Sequence, residues 1–201
     1  MSDAATPVHR LSDPEPPELH ERNTWVGARL LVSSTVFLFL PFVFGYLYLA
    51  SLNTSGLWRP GNLKAPIGWG TGIMVAVVVG AGLVAWARSE LVGGRESTSR
   101  WLLLGGLVAG VAAVVLQCVE YTQLGFGPTD GGFASVFVGW TGLLAFVLLL
   151  TMVWLEMVVA SSFRNGMSAP GSGPADVEAL AFYLVFLAAV AVVTYGFLYL
   201  V

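Results

Sequence analysis

The amino-acid sequence predicts an all-α membrane protein built as a bundle of five transmembrane helices. Of its 201 residues, 56% are hydrophobic and only 10% are charged, and the mean hydropathy is +0.79. Soluble domains carry about 25% charged residues, so this composition excludes an ordinary soluble globule. The single cysteine, Cys118, excludes a disulfide framework and a cysteine-based metal site. Nine basic residues and a net charge of −3 give no sign of nucleic-acid binding.

Five apolar stretches are each long enough to cross a bilayer, which takes about 20 residues in a helix. None shows the period-two alternation of a β-barrel strand. They follow a polar, proline-rich segment at residues 1–22, which we expect to be a disordered tail before a transmembrane domain at residues 23–201. The first stretch is longer than the core of a signal peptide, and we expect it to be retained. The predicted spans lie at about residues 26–52, 67–87, 101–121, 133–160 and 179–201.

The distribution of basic residues predicts the orientation of the spans. The connections on one side carry only Arg59 and Lys64, whereas seven arginines lie on the other side. Because cytoplasmic loops are enriched in Lys and Arg, we expect the amino terminus inside and the carboxyl terminus outside. The seven arginines are Arg10, Arg22, Arg29, Arg88, Arg95, Arg100 and Arg164.

The predicted spans contain no histidine, which restricts the chemistry that they could support. Both histidines, His9 and His20, precede the first span. Haem in a helical bundle usually takes His or Met ligands, and zinc, copper and non-haem iron sites need imidazoles or clustered carboxylates. We therefore expect no catalytic residue, no cofactor and no metal site on this chain.

Two acidic positions at the outer end of the bundle are candidate sites. Glu120 stands with Gln117 and Tyr121 on part of one face of the third span. An intramembrane acid is a functional candidate, although it could also reach the interface and bond to a neighbouring loop, such as the one that contains Asp130. Asp130 precedes the fourth span and is a candidate to cap that helix through its backbone N–H groups.

Two pairs of glycines predict close helix packing. Gly68 and Gly72 in the second span form a GxxxG pair, as do Gly106 and Gly110 in the third span. Such pairs let helix backbones approach each other. We expect them to pack spans two and three together in the bundle or against a partner.

The order of these motifs resembles that of the haem–copper oxidase subunit III family (cytochrome c oxidase subunit III), in its short five-helix form. Residues 116–121, LQCVEY, are similar to the family's Gln-x-x-Glu-Tyr, and residues 130–137, DGGFASVF, to its acidic, glycine-containing loop and Ser-x-Phe helix start. Thr141 and Gly142 follow where the family has a Thr-Gly pair. The last span begins with a similar Val-Glu and ends with Tyr195 and Tyr199.

The chain departs from the family pattern at several polar positions. Thr35 stands where the family has a membrane Glu, and Leu144 and Val147 stand where it has a His pair. In the last span the family's Trp-His and Asp are also replaced, by Leu184, Val185 and Ala188. These replacements remove most of the family's intramembrane polar groups and leave its scaffold and lipid-binding roles.

The resemblance implies a non-catalytic accessory subunit of a respiratory haem–copper terminal oxidase in a bacterial or archaeal cell membrane. Its partners would be the catalytic subunit I, which carries haem and copper, with subunit II and phospholipids. Two alternatives stay open: a small membrane carrier, and an oxidase assembly or interaction protein without a permanent haem partner. A carrier would need mid-membrane polar groups, and isolated hydroxyls more often bond to their own helix.

Overall fold

A computed structural model describes residues 16–53, 56–168 and 171–200, and it shows five long helices. All five are long and apolar enough to cross a membrane, and the described part of the chain contains no strand. This confirms the predicted five-helix fold. The helices are α1 (Pro17–Ser51), α2 (Ile67–Val92), α3 (Glu96–Gln123), α4 (Gly132–Asn165) and α5 (Pro174–Tyr195), with a short 3₁₀ helix at Pro60–Asn62 and a π-helical turn at Gly196–Leu200.

The helix α1 begins earlier than the sequence pattern predicted. Residues 17–22 were expected in the disordered tail, but they form its first turns; residues 1–15 lie outside the described part of the chain. Pro17 suits the first helical position and Glu18 suits the positive end of the helix dipole, so this polar segment can be helical without being apolar. At 35 residues, α1 is roughly 50 Å long, which exceeds the ~30 Å hydrocarbon core.

The centre of the bundle is formed by α4 and α5. Half of the most apolar window of α5 and 44% of that of α4 are buried, against 17% for α1. Helices α2 and α3 form a close pair, α2 also packs on α5, and α3 on α4. Helix α1 contacts α4 and α5 from the outside. In a membrane such contacts act through close van der Waals packing, because lipid tails are as apolar as the side chains.

The glycines of α3 lie at the closest helix contacts. A Cβ on Gly106 would stand 2.5 Å from Val84 Cγ2 of α2, and one on Gly110 would stand 2.0 Å from Met152 Sδ of α4. This predicted pair therefore packs α3 against both neighbours.

The predicted glycine pair of α2 does not make such contacts within the bundle. A Cβ on Gly68 would meet nothing within 4 Å, and one on Gly72 only Leu116 Cδ1 at 3.9 Å. The glycines of α2 that pack closely are Gly70 and Gly80. Gly70 lies two residues from each of the predicted pair, and two residues are about 200° around a helix, which places that pair on another side.

Contacts at the two ends of the bundle fix an up-and-down order. At one end, the start of α5 meets the start of α1 through His20 and Asp176, 3.3 Å apart, and the end of α2 through Arg88 and Glu178. At the other end, the Phe133 N–H donates to the Trp58 carbonyl over 2.9 Å. The α1–α2 and α3–α4 connections thus meet at the end opposite to the ion pairs.

Candidate functional site

The carboxyl of Glu120 is fully buried and lies at the centre of a polar cluster. Gln117 Nε2 donates to Glu120 Oε2 over 2.6 Å within α3. The hydroxyl of Tyr199, on the π-helical turn that follows α5, lies 2.9 Å from both carboxyl oxygens. The sequence places Gln117 and Glu120 on one face, and they do interact. Their further partner is Tyr199 rather than the loop that contains Asp130.

Two more tyrosine hydroxyls tie neighbouring helices together around Glu120. Tyr121 of α3 and Thr141 of α4 share a hydrogen bond of 2.8 Å. Tyr195, at the end of α5, does the same with Thr71 of α2 at 2.8 Å, and its ring stacks on Tyr199 with centroids 5.4 Å apart. These hydrogen-bonded residues therefore join α2, α3, α4 and the end of α5. We call them the Glu120 cluster; its members are Thr71, Gln117, Glu120, Tyr121, Thr141, Tyr195 and Tyr199.

Gly70 gives the Tyr199 ring its place in the cluster. A Cβ built on Gly70 would stand 2.3 Å from Cε1 of the Tyr199 ring, well inside van der Waals contact. Gly70 is buried in α2, facing the π-helical turn. The sequence pattern alone does not single out Gly70, because this residue belongs to no GxxxG pair. Its importance becomes visible only when the structure shows which face of α2 points towards Tyr199.

Asp130 closes its own turn and does not cap α4. Its Oδ2 accepts a hydrogen bond from the Gly127 N–H over 2.7 Å, and α4 has no side-chain cap. The first N–H groups of α4, those of Gly132 and Phe133, donate instead to the carbonyls of Leu57 and Trp58. Backbone carbonyls of the α1–α2 connection occupy the position at which a capping side chain would act, so the expected cap is wrong.

Five threonine hydroxyls within the spans donate hydrogen bonds to carbonyls of their own helices. Each of five threonines donates to the carbonyl four residues earlier over 2.7–2.8 Å. Among the described residues, no group of three or more His, Cys, Asp and Glu side chains could hold a metal ion. These five threonines are Thr35, Thr71, Thr141, Thr151 and Thr194. The hydroxyls of the described spans thus form structural hydrogen bonds and do not line up as a chain of free polar groups.

A cleft of about 250 Å³ opens on the outside of the bundle between α1 and α4. Its walls are mostly apolar, with Leu38, Phe146 and Leu150 among them. On its floor the hydroxyls of Thr35 and Tyr183 lie 2.9 Å apart. Thr35 is the residue that stands where the resembled family has a membrane Glu, so a neutral hydroxyl pair occupies that position here.

No family model matches the chain, but it is similar to curated proteins named cytochrome c oxidase subunit 3. It is 26% identical over 136 residues to cytochrome c oxidase subunit 3 of Pylaiella littoralis, covering 65% of this chain and 50% of that protein. The subunit 3 of Latimeria chalumnae is 28% identical over 126 residues, and that of Mus musculus 26% over 126 residues; both cover 58% of this chain and 46% of the relative. The chain spans about half the length of the curated relatives it matches.

The five apolar helices define a multi-pass helical membrane protein. The similarity to several subunit 3 proteins then supports a cytochrome c oxidase subunit III-like protein. Both statements agree with the resemblance that the Gln117–Tyr121 and Asp130–Phe137 motifs carried.

Proposed function

We propose that the chain is a non-catalytic accessory subunit of a haem–copper terminal oxidase, which stabilises the catalytic subunit and binds lipid. The single observation that carries this proposal is the Glu120 cluster. The motif on which the resemblance depends forms a buried contact between four helices, in which the carboxyl is held by Gln117 and Tyr199 of the same chain. Such an arrangement suits a scaffold, because its polar groups are occupied by one another.

The α1–α4 cleft supports the lipid-binding part of the proposal. It is open at the bundle surface, about 250 Å³ in volume and lined mainly by apolar side chains. An acyl chain of a phospholipid fits walls of this chemistry. The hydroxyls of Thr35 and Tyr183 bond to each other, so neither would be left unpaired beneath an apolar ligand.

In this proposal haem and copper lie on the catalytic subunit I, with subunit II as a further partner. This placement is supported by the described residues, among which no three His, Cys, Asp or Glu side chains lie together as potential metal ligands. Electron transfer and oxygen chemistry would then take place entirely on partner chains. The membrane is that of a bacterial or archaeal cell, an assignment that rests on the resemblance to the short five-helix form of the family.

A purification from native membranes tests the proposal. The tagged chain is extracted in mild detergent, and the reduced-minus-oxidised optical spectrum of the eluate is recorded. We expect haem bands at a fixed ratio to the tagged chain through successive purification steps. A folded chain that elutes without haem would contradict the accessory-subunit role and would favour the assembly-protein alternative, or the carrier if liposomes containing the chain alone take up a solute.

A further inference from the structure

A second groove opens near the ion pairs, between α1 and α2, with α5 as its floor. Its volume is about 220 Å³. It is separate from the α1–α4 cleft and shares no lining residue with it. We call it the Arg88 groove; its lining residues are Trp25, Ala85, Arg88, Glu178, Ala181, Phe182 and Val185.

The two charged residues of the Arg88 groove bind each other and retain unused hydrogen-bonding groups. Arg88 Nη2 donates to Glu178 Oε1, and the side chains are 49% and 28% exposed. A guanidinium has five N–H donors and a carboxylate has two acceptor oxygens. Further donors of Arg88 and Glu178 Oε2 can therefore bind a ligand that carries a negative and a positive group side by side.

The rest of the groove has the character of the boundary between lipid headgroups and acyl chains. The rings of Trp25 and Phe182 pack with centroids 5.7 Å apart, and the Arg29 guanidinium lies 5.6 Å from the centre of the Trp25 ring. Tryptophan and arginine together are typical of the membrane interface. Ala85 and Val185 make the deeper walls small and apolar, which leaves space for a hydrocarbon chain.

We propose that the Arg88 groove binds a zwitterionic phospholipid whose headgroup ends in a primary ammonium, as in phosphatidylethanolamine. The phosphodiester accepts hydrogen bonds from Arg88, the ammonium donates to Glu178, and one acyl chain lies along Ala85 and Val185. An anionic lipid without an amine, such as phosphatidylglycerol or cardiolipin, would place no cation beside Glu178. A choline headgroup carries no N–H to donate. The site is additional to the α1–α4 cleft and does not depend on an oxidase partner.

Photolabelling in the membrane tests this site on the full chain with any partners that it retains. A phosphatidylethanolamine with a diazirine in its acyl chain is added to the membranes, irradiated, and the labelled peptides are mapped by mass spectrometry. We expect labels at Ala85 and Val185. Unlabelled phosphatidylethanolamine should suppress them at least fivefold more effectively than phosphatidylcholine. Equal competition by the two lipids would overturn the ammonium contact and with it the proposal.

Matched variants separate the groove from general effects on folding. Arg88→Gln should lower labelling in the groove at least fivefold, while labelling at Phe146, an exposed residue of α4, stays constant. Arg100→Gln is the control, since Arg100 pairs with Glu96 at the same end, 3.1 Å apart, and does not line the groove. Unchanged labelling in Arg88→Gln would overturn the proposal.

Two further variants keep the test decisive if Arg88→Gln fails to accumulate. Glu178→Gln should make phosphatidylcholine and phosphatidylethanolamine compete equally, because the acceptor of the ammonium loses its charge. Ala85→Leu narrows the groove and leaves both charged residues in place, so it should remove the labels at Val185. Persistence of those labels, or of the preference for phosphatidylethanolamine in Glu178→Gln, would contradict the site. Haem co-purification is a separate measurement, so failure of this proposal and of the oxidase role can be told apart.

Discussion

At the scale of single residues, the interior of the bundle depends on the carboxyl of Glu120. It lies on α3, fully buried, and its hydrogen bonds reach Gln117 on the same helix and Tyr199 beyond the end of α5. A polar group without partners is costly to bury. Glu120 therefore accepts hydrogen bonds from the Gln117 amide and the Tyr199 hydroxyl, whose burial without an acceptor would oppose folding. The bond to Tyr199 also fixes the position of the π-helical turn relative to α3.

Replacement of this carboxyl should reduce assembly more than chemistry. In Glu120→Ala the Gln117 amide and the Tyr199 hydroxyl lose their acceptor, at a cost of about 1–3 kcal/mol for each group. We expect the yield of purified complex to fall severalfold and turnover per haem to fall less than twofold. Glu120→Gln keeps an acceptor oxygen, so its yield of purified complex should lie between those of the unchanged chain and Glu120→Ala. A collapse of turnover per haem at normal yield would contradict the structural role.

Gly70 is predicted to be intolerant of even a methyl group. The Cβ of Gly70→Ala would overlap the Tyr199 ring, so the ring must move or the helices must separate, at a cost of about 1–3 kcal/mol. Gly68→Ala is the matched control, because a Cβ there meets nothing within 4 Å. Thermal unfolding in detergent should show a clear loss for the first variant and little change for the second. Equal melting temperatures for both variants would be inconsistent with the close approach of Tyr199.

At the scale of helices and connections, hydropathy was sufficient to predict the five spans but not where the helices end. A run of about 20 apolar residues identifies a span because the bilayer imposes that length. The first turns of α1 and the last turn of α4, up to Asn165, are polar or lie beyond the apolar run, so hydropathy could not include them.

Of the candidate site, the sequence could predict only the contact between residues that are close together along the chain. Gln117 and Glu120 are three residues apart, and helix periodicity places them together. Tyr199 is 79 residues from Glu120 along the chain, and its position depends on helix rotation and on a π-helical turn that no periodicity indicates. Asp130 failed as a cap for a similar reason, since the carbonyls that replace it come from a distant connection.

The α1–α2 connection should stabilise the end of the bundle opposite to the ion pairs, chiefly through Trp58. Its ring lies in edge contact with Tyr46 and Phe133, with centroids 5.2 and 5.8 Å away. Trp58→Ala should lower the free energy of unfolding by about 3–5 kcal/mol. Asp130→Ala, which loses one hydrogen bond to a backbone N–H, should cost only about 0.5–1.5 kcal/mol. Thermal unfolding of the two variants side by side checks the order, and a larger loss for Asp130→Ala would refute it.

At the scale of the whole molecule, the bundle has a packed interior and a loosely attached outer helix. Helices α4 and α5 are the most buried, whereas α1 buries only a narrow stripe that includes Thr35, Phe39 and Tyr46. The α1–α4 cleft and the Arg88 groove both lie along α1, one against α4 and one towards α2. The surface that binds lipid in our proposals is thus the surface around the least buried helix.

The charge distribution predicts the orientation of the bundle, which cysteine labelling can measure. In a Cys118→Ser background, Lys64→Cys and Arg164→Cys place single thiols in exposed connections or helix ends on opposite sides. A membrane-impermeant maleimide added to intact cells should label the first variant and should label the second only after permeabilisation. The reverse pattern would show that the amino terminus lies outside.

The separation of Glu120 from Tyr199 along the chain has a consequence for synthesis. Ribosomes add about 5–20 residues per second, so the 79 residues between them take roughly 4–16 s to make. During that interval α3 is already available for membrane insertion, while the hydroxyl that will bind its carboxyl does not yet exist. The contact between α3 and the π-helical turn is therefore completed only after Tyr199 has been made, and until then Gln117 is the one partner of this acid within the Glu120 cluster.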